Sequence, residues 1–261
     1  MNRSIGITLP VIVLLILFFA SNCFAAQKIA QIDFEDTTTD RYGNASILWY
    51  PTPGNIQYVS GHTGKAVRTS HNNDDGGGDF EITIGMPESG ELYIKWWVKY
   101  DAEYWGYCGS IWNVKWLWHG PGDAENHTEH TFQYYNNGSI GFNSFQSAPN
   151  LVSFSSTSVP YTFGDWMKVE IYWKQSTGNG TNADGIFWCR VNDVVRINQT
   201  SLVTGRITYP VRSPSMKATC DCETGKGWWQ IDSYEAWDGM PDETPSTPTI
   251  SSGGVRGGGI R

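Results

Sequence analysis

The ten residues Glu91–Tyr100, ELYIKWWVKY, alternate between two kinds of side chain. The even-numbered positions are all apolar or aromatic, whereas the odd-numbered positions hold one glutamate, two lysines and two aromatic residues. Because successive side chains of a β-strand point to opposite faces, the segment is predicted to bury one face and to present a mixed aromatic and basic surface on the other. A long strand of this kind needs a core on one side only.

Short β runs separated by Gly, Asn, Asp and Pro fill the chain after residue 26, and there is no convincing apolar stripe of helical period. Hairpin signals stand at Asn136-Asn137-Gly138, Asp184-Gly185 and Asn192-Asp193. Many short antiparallel strands predict an all-β sandwich or barrel. The predicted strands are residues 30–34, 64–69, 80–84, 91–100, 111–118, 131–135, 140–143, 166–174, 186–191, 194–197 and 228–236.

Alternation also assigns most of the tryptophans to the core. In the segment 111–119, one face is predicted to hold Trp112, Val114, Trp116 and Trp118, and the other Asn113, Lys115, Leu117 and His119. Large aromatic side chains suit the wide core between two sheets. The residues left on the surface are Trp97 with Tyr93, Lys95, Lys99 and Tyr172.

The N-terminus has the features of a secretory signal peptide. Arg3 precedes the apolar run Leu9–Ala20, and Cys23-Phe24-Ala25 before Ala26 fits a small-x-small cleavage site. The apolar run is too short to span a bilayer, so a cleaved signal is favoured over a transmembrane helix. Lipidation of Cys23 is the minor alternative.

The predicted organisation is a signal peptide at 1–25, one domain at 26–240 and a flexible tail rich in Pro, Ser, Thr and Gly at 241–261. We expect a secreted or periplasmic protein that is monomeric and not membrane-bound after cleavage. The chain has 18 Lys and Arg against 26 Asp and Glu, a formal net charge of −8. Loss of Arg3 makes this −9, which argues against a nucleic-acid partner.

Four cysteines remain after the predicted cleavage: Cys108, Cys189, Cys220 and Cys222. An exported chain with an even count is expected to form two disulfides, for which three pairings exist. Cys220 and Cys222 are awkwardly spaced for a mutual bond, so each is expected to reach Cys108 or Cys189. Free buried thiols are the alternative, and a zinc site is disfavoured because no CxxC pair is present.

Several segments, in order, resemble the concanavalin A-like (laminin G-like) jelly roll in the form seen in secreted polysaccharide lyases. They are IAQIDFED (29–36), GHTGKAVRTS (61–70), GELYIKWWVKYD (90–101), GDWMKVEIYWK (164–174) with NADGIFWCRVNDVVR (182–196), and WWQIDSYEAWDG (228–239). The resemblance implies a two-sheet antiparallel jelly roll. It also implies an exported carbohydrate-active protein that binds an extracellular polysaccharide, although one fold hosts lectins, hydrolases and lyases alike.

The sequence departs from the known catalytic signatures of this superfamily. It has no E-x-D-x-x-E strand, and the alginate-lyase motifs R-x-E-x-R, Q-I-H and Y-x-K-x-G are not intact. A lectin-like binding module, or an adhesion protein that uses the fold as a scaffold, is therefore the alternative to an enzyme.

If the protein is a lyase, β-elimination needs a cation to neutralise the uronate, a base for the C5 proton and an acid for the leaving oxygen. The candidate catalytic residues are Lys95, Lys115, Arg190, His119, His130, Tyr93 and Tyr134. The alternative for the two histidines is that they are solvated loop residues. The loop 119–130 also contains enough His, Asp and Glu for a metal, but its spacing matches no zinc motif.

Sugar binding needs exposed aromatic rings with polar neighbours. The candidates are Trp97, Lys99, Tyr104, Trp105, Tyr107 and Tyr172, with packing between loops as the alternative for each ring. The resemblance further implies a structural calcium ion between the first and last strands, where Glu35, Asp36 and Asp232 would be its ligands. A strand-end acid cluster without metal is the alternative.

Overall fold

The computed structural model describes residues 25–35, 42–43, 45–49, 56–70, 80–101, 113–119, 129–135, 140–146, 150–155, 159–204, 211–215 and 228–242. The strands in these ranges are β1 (Lys28–Ile32), β2 (Tyr42–Gly43), β3 (Ala45–Trp49), β4 (Ile56–Ser60), β5 (Lys65–Ser70), β6 (Phe80–Ile84), β7 (Glu91–Tyr100), β8 (Asn113–His119), β9 (Glu129–Tyr135), β10 (Ile140–Gln146), β11 (Asn150–Ser155), β12 (Met167–Lys174), β13 (Gly185–Val191), β14 (Val194–Leu202), β15 (Val211–Ser215) and β16 (Trp228–Trp237). One short helical turn, α1 (Thr177–Gly180), joins β12 to β13.

These strands form two antiparallel sheets. The large sheet has nine strands in the order β14-β13-β12-β7-β16-β1-β2, with β5 also paired to β16 and β4 paired to β5. The small sheet has seven strands in the order β11-β10-β9-β8-β15-β6-β3. The predicted all-β, two-sheet antiparallel sandwich is confirmed, and each predicted strand corresponds to an observed one.

The even-numbered residues of β7 form the centre of the core, as alternation predicted. Leu92, Ile94, Trp96, Val98 and Tyr100 are each at most 1% exposed. Trp96 meets Trp116 of the small sheet edge to face, with ring centroids 6.1 Å apart. The Trp116 indole donates a hydrogen bond of 2.9 Å to the Tyr100 hydroxyl, so the polar edge of a deeply buried ring is satisfied inside the core.

An irregularity in β8 changes one part of the predicted pattern. The register with β9 shifts between Lys115 and Leu117, and both Trp116 and Leu117 are at most 2% exposed. The prediction that Leu117 lies on the face opposite to Trp116 is therefore wrong, because an extra residue in one strand breaks the two-residue alternation.

Cys189 also differs from the expectation. Its thiol is free and completely buried on the core side of β13. Burial raises the pKa of this thiol well above its usual value. The expected disulfide to Cys189 is contradicted, since the side chain packs as a small hydrophobic group. Cys108, Cys220 and Cys222 lie outside the described residues.

The predicted signal peptide and C-terminal tail fall almost entirely outside the described residues. Within the part of the chain that the structure describes, no helix is long and apolar enough to cross a membrane.

Candidate functional site

The outer face of the large sheet, which is turned away from the core, is lined by charged and aromatic side chains. The odd-numbered residues of β7 belong to it, as predicted. Tyr93 and Tyr172, however, were predicted on the surface and are only 2% and 8% exposed. Neighbouring rings cover Tyr93, since its centroid lies 5.3 Å from that of Trp237 and 6.5 Å from that of Trp188.

A buried ion pair lies at the centre of one part of this face. The Arg190 guanidinium binds both carboxylate oxygens of Glu170, and its Nε donates to Oε2 at 2.5 Å. The Tyr93 hydroxyl donates to Glu170 Oε1 at 2.5 Å. Burial, reinforced by this bond to a carboxylate, raises the pKa of Tyr93 well above its usual value.

The neighbouring lysines are also matched with carboxylates. Glu235 of β16 lies 3.1 Å from Lys95 Nζ and 3.5 Å from Lys28 Nζ. Lys168 Nζ lies 2.6 Å from Asp193 and 3.8 Å from Glu170. We call this region the compensated cluster: Lys28, Lys95, Lys168, Glu170, Arg190, Asp193 and Glu235, with the rings of Tyr93, Trp188 and Trp237.

Tyr172 and Glu91 form a further contact beside this cluster. The Tyr172 hydroxyl donates to Glu91 Oε2 at 2.7 Å, and Lys174 Nζ lies 3.4 Å from Glu91 Oε1. Burial, followed by the bond to Glu91, raises the pKa of Tyr172 well above its usual value. Its hydroxyl is therefore engaged within the sheet rather than free to meet a sugar.

At the other end of the same face, two cations lie against indole rings. Lys99 Nζ lies 4.9 Å from the Trp166 ring centroid and 5.5 Å from that of Trp228, and the Arg68 guanidinium lies 4.4 Å from that of Trp228. Among the described residues, no carboxylate forms an ion pair with Lys99 or Arg68. Partial burial and then repulsion from Arg68 lower the pKa of Lys99.

Gln230 lies between these two cations. Its position in β16 is paired with Lys99 of β7 on one side and with Arg68 of β5 on the other. The side chain is 5% exposed, and its carbonyl oxygen has no hydrogen-bond partner within the part of the chain that the structure describes. We call this region the uncompensated cluster: His62, Arg68, Trp97, Lys99, Trp166, Trp228 and Gln230.

His62 joins this cluster from the turn between β4 and β5. Its ring stacks on Trp97, with ring centroids 3.7 Å apart and an interplanar angle of 12°. It meets the Trp166 ring edge to face, with ring centroids 6.0 Å apart. The turn is closed by a 2.8 Å bond from the Gly61 amide to the Gly64 carbonyl. The imidazole thereby extends the row of rings across the face.

Two carboxylates from the first and last parts of the domain fix this turn. Asp232 accepts a 2.8 Å bond from the Thr63 amide, and Glu35 accepts a 2.9 Å bond from the Lys65 amide. Gly64 has a φ of +67°, and a Cβ there would lie 1.6 Å from Glu35 Oε1. A glycine is therefore required for both conformation and space.

The same contacts bear on the expected calcium site. Glu35 and Asp232 do converge on one turn, but their oxygens accept its backbone amides, and burial raises the pKa of Asp232. Asp36 lies outside the described residues, and no group of three acidic, histidine or cysteine ligands is found within them. Calcium binding stays a prediction.

The structure divides the predicted catalytic residues between the two sheets. Tyr93, Lys95 and Arg190 belong to the large sheet, where all three bind carboxylates. The other four, Lys115, His119, His130 and Tyr134, lie on β8 and β9 of the small sheet, whose register places His119 directly opposite His130. The seven candidates are therefore spread over both sheets, and their catalytic roles stay predictions. Tyr104, Trp105 and Tyr107 lie outside the described residues.

Five residues of the uncompensated cluster were absent from the predicted site: His62, Arg68, Trp166, Trp228 and Gln230. One signal was present in the sequence, since alternation in the predicted strand GKAVRT places Arg68 on the face opposite to Val67. Gln230 lies between two cations because β16 pairs with both β5 and β7, and no short stretch of sequence predicts that pairing.

Comparison with known proteins supports the fold. No family model matches the chain, and no curated protein matches it. The endo-β-1,4-glucuronan lyase from the fungus Trichoderma reesei has a similar structure, with a TM-score of 0.59 at 11% identity over 80% of this chain and 95% of the lyase. An alginate lyase from Aplysia kurodai gives 0.55 at 10% identity over 81% and 98%.

The binding domain of botulinum neurotoxin serotype D is similar as well, with a TM-score of 0.53 at 11% identity over 82% of this chain and 48% of that one. At such low identity these likenesses show the fold and not the activity. The chain shares the two-sheet jelly-roll β-sandwich fold of these proteins.

Proposed function

We propose that the protein is an exported carbohydrate-binding protein that holds an extracellular polysaccharide on the uncompensated cluster. The observation that carries the proposal is the set of partly exposed indoles there: Trp97, Trp166 and Trp228. Indole rings at a surface stack on the apolar C–H face of a sugar ring, while neighbouring polar groups bind its hydroxyls.

Polar groups that could bind sugar hydroxyls lie beside these rings. Lys99 lies against two of the indoles, and His62 stacks on the third. The anchored turn and the sheet hold the rings in place, so little side-chain freedom is lost when a sugar binds. Export is supported by the apolar run Leu9–Ala20 with its cleavage site.

The test is affinity electrophoresis of residues 26–245 in gels that contain one of a panel of acidic and neutral polysaccharides. Trp166→Ala and Trp228→Ala should each weaken the retardation by about tenfold, since each removes a stacking surface. Trp237→Ala, in the compensated cluster, is the matched control and should migrate like the wild type. Retardation that is unchanged in both cluster variants would contradict the proposal.

A second candidate function is cleavage of the polymer by β-elimination. It is favoured by the register of β8 and β9, which brings His119 opposite His130, with Lys115 and Tyr134 on the same two strands. In this reaction a base takes the C5 proton, the C4–O bond breaks, a C4–C5 double bond forms, and the leaving oxygen gains a proton. The proteins of similar fold described above include a glucuronan lyase and an alginate lyase.

The lyase reaction is tested by following the ultraviolet absorbance of the unsaturated uronide with the same polymers. A rise that disappears in the His119→Ala/His130→Ala variant supports cleavage by these strands. Unchanged turnover in that variant removes both histidines from the mechanism, and a flat trace with retained retardation indicates a binding module.

A further inference from the structure

The charges of the uncompensated cluster differ from those of the compensated cluster. Five other cations on this face, Lys28, Lys95, Lys168, Lys174 and Arg190, each form an ion pair with a carboxylate. Lys99 and Arg68 form none among the described residues, although they are close enough to repel each other. Two neighbouring cations without a counter-ion are unfavourable in a sheet, and a bound anion would relieve this repulsion.

Gln230 supplies an independent observation. A carbonyl oxygen that is buried without a donor is costly, so such a group in a folded protein calls for an explanation. The oxygen lies in a side chain that is 5% exposed, and the strand register places that side chain between the two cations. A donor from outside the chain, such as a sugar hydroxyl, would satisfy it.

We infer that Lys99, Arg68 and Gln230 form a subsite for one acidic sugar residue of the bound polymer. The acid group accepts hydrogen bonds from the Lys99 ammonium and the Arg68 guanidinium, while an adjacent hydroxyl donates to the Gln230 carbonyl oxygen. Trp166 and Trp228 border the subsite. The inference rests on the proposed function, and the shared chemistry is an anionic group, either a carboxylate or a sulfate ester, beside a hydroxyl.

Overall charge does not explain such a preference. The formal net charge of the chain is −8, so nonspecific attraction to a polyanion is disfavoured. Selective binding of an acidic polymer would therefore have to come from a local arrangement of cations.

The experiment compares three polymers in affinity electrophoresis: a polyuronate, the same polymer after reduction of its carboxyl groups to alcohols, and a sulfated neutral glucan. Wild type should bind one of the acidic polymers at least about tenfold more tightly than the reduced polymer. Stronger retardation by the polyuronate assigns the carboxylate, and stronger retardation by the sulfated glucan assigns the sulfate ester.

Three variants locate the subsite. Lys99→Gln should lose about tenfold in affinity for the acidic polymer and keep its affinity for the reduced one. Gln230→Glu places a carboxylate between the two cations, so it should abolish the acidic preference without lowering the melting temperature. Lys174→Gln makes the same charge change at a lysine paired with Glu91, and it should behave like the wild type.

The outcomes separate the two proposals. Equal binding of the polyuronate, the sulfated glucan and the reduced polymer by wild type would overturn the acidic subsite and leave the carbohydrate-binding function intact. An acidic preference that persists in Gln230→Glu would also overturn the subsite. Absence of binding to all three polymers, and to every polymer of the wider panel, would overturn both.

Discussion

Glu235 and Gln230 belong to the same strand, β16, and they give the two ends of the outer face different chemistry. Glu235 lies within ion-pairing distance of Lys95 and Lys28. Gln230 lies between Lys99 and Arg68 in the register but offers them no charge. Both positions are flanked by cations and indoles, so the difference in charge pairing between the two ends depends on a carboxylate at one position and an amide at the other.

The difference also shows what the aromatic rings contribute. Trp237 in the compensated cluster has Lys28 and Lys95 within 5.1 Å and 5.2 Å of its ring centroid, much as Trp166 and Trp228 have Lys99. Cation–π contact is therefore common to both ends. The two ends differ instead in counter-charge, since Lys28 and Lys95 pair with Glu235 whereas Lys99 has no carboxylate partner among the described residues.

The largest expected effect comes from breaking the compensated cluster at Glu170. Glu170→Gln leaves Arg190, which is 5% exposed, without its counter-ion, and should lower the free energy of unfolding by about 3–5 kcal/mol in urea denaturation. Glu91→Gln is the control, because the Glu91 side chain is 28% exposed and its pair with Lys174 should be worth less than about 1 kcal/mol. Equal losses in both variants would show that burial does not set the strength of these pairs.

A smaller effect is expected when Glu235 is made to resemble Gln230. Glu235→Gln removes the counter-ion of Lys95 and Lys28, whose side chains are 31% and 34% exposed, and should cost less than about 1 kcal/mol of unfolding free energy. If missing carboxylates create acid-binding surfaces, the variant should bind the polyuronate more tightly than the wild type. Unchanged affinity would mean that acid binding also requires the Gln230 side chain and the indoles of Trp166 and Trp228.

The smallest effect is a pH dependence at Lys99. Its pKa in the folded protein is lowered from 10.5 by burial and by Arg68, so between this lowered pKa and 10.5 the folded state binds fewer protons than the unfolded state. The charged lysine therefore lowers stability at neutral pH, and this penalty decreases as pH rises through the folded pKa towards 10.5. Unfolding measured at several pH values should show Lys99→Gln as the more stable protein near neutrality, with the gap closing in alkali.

Comparison of the sequence with the structure shows where local reasoning succeeds. Alternation identified the buried face of β7 correctly, because the face on which Leu92 or Trp96 lies is set by its position along its own strand. Strands with weaker patterns were missed, among them β11 and β15, the latter of which contains Pro214. The register shift at Trp116 could not be read from residue types, since an extra residue in a strand leaves no local mark.

The site was less accessible to prediction for a related reason. Lys99 was identified, but its significance comes from Arg68 and Gln230, which reach it through strands far apart in the chain. Tyr93 and Arg190 had the right chemistry for a site, yet the sheet register brings both to Glu170 and occupies them. Which charges remain unpaired is a property of the pairing of strands.

The position of β16 has a consequence for how the chain is made. The last strand lies in the interior of the large sheet, between β7 on one side and β1 and β5 on the other. While the chain is being synthesised, β7 and β1 cannot be joined, and both expose an unpaired edge until residue 237 is available. Completion of the large sheet therefore waits for residues 228–237, and a chain that still lacks them is vulnerable to aggregation through these two open edges.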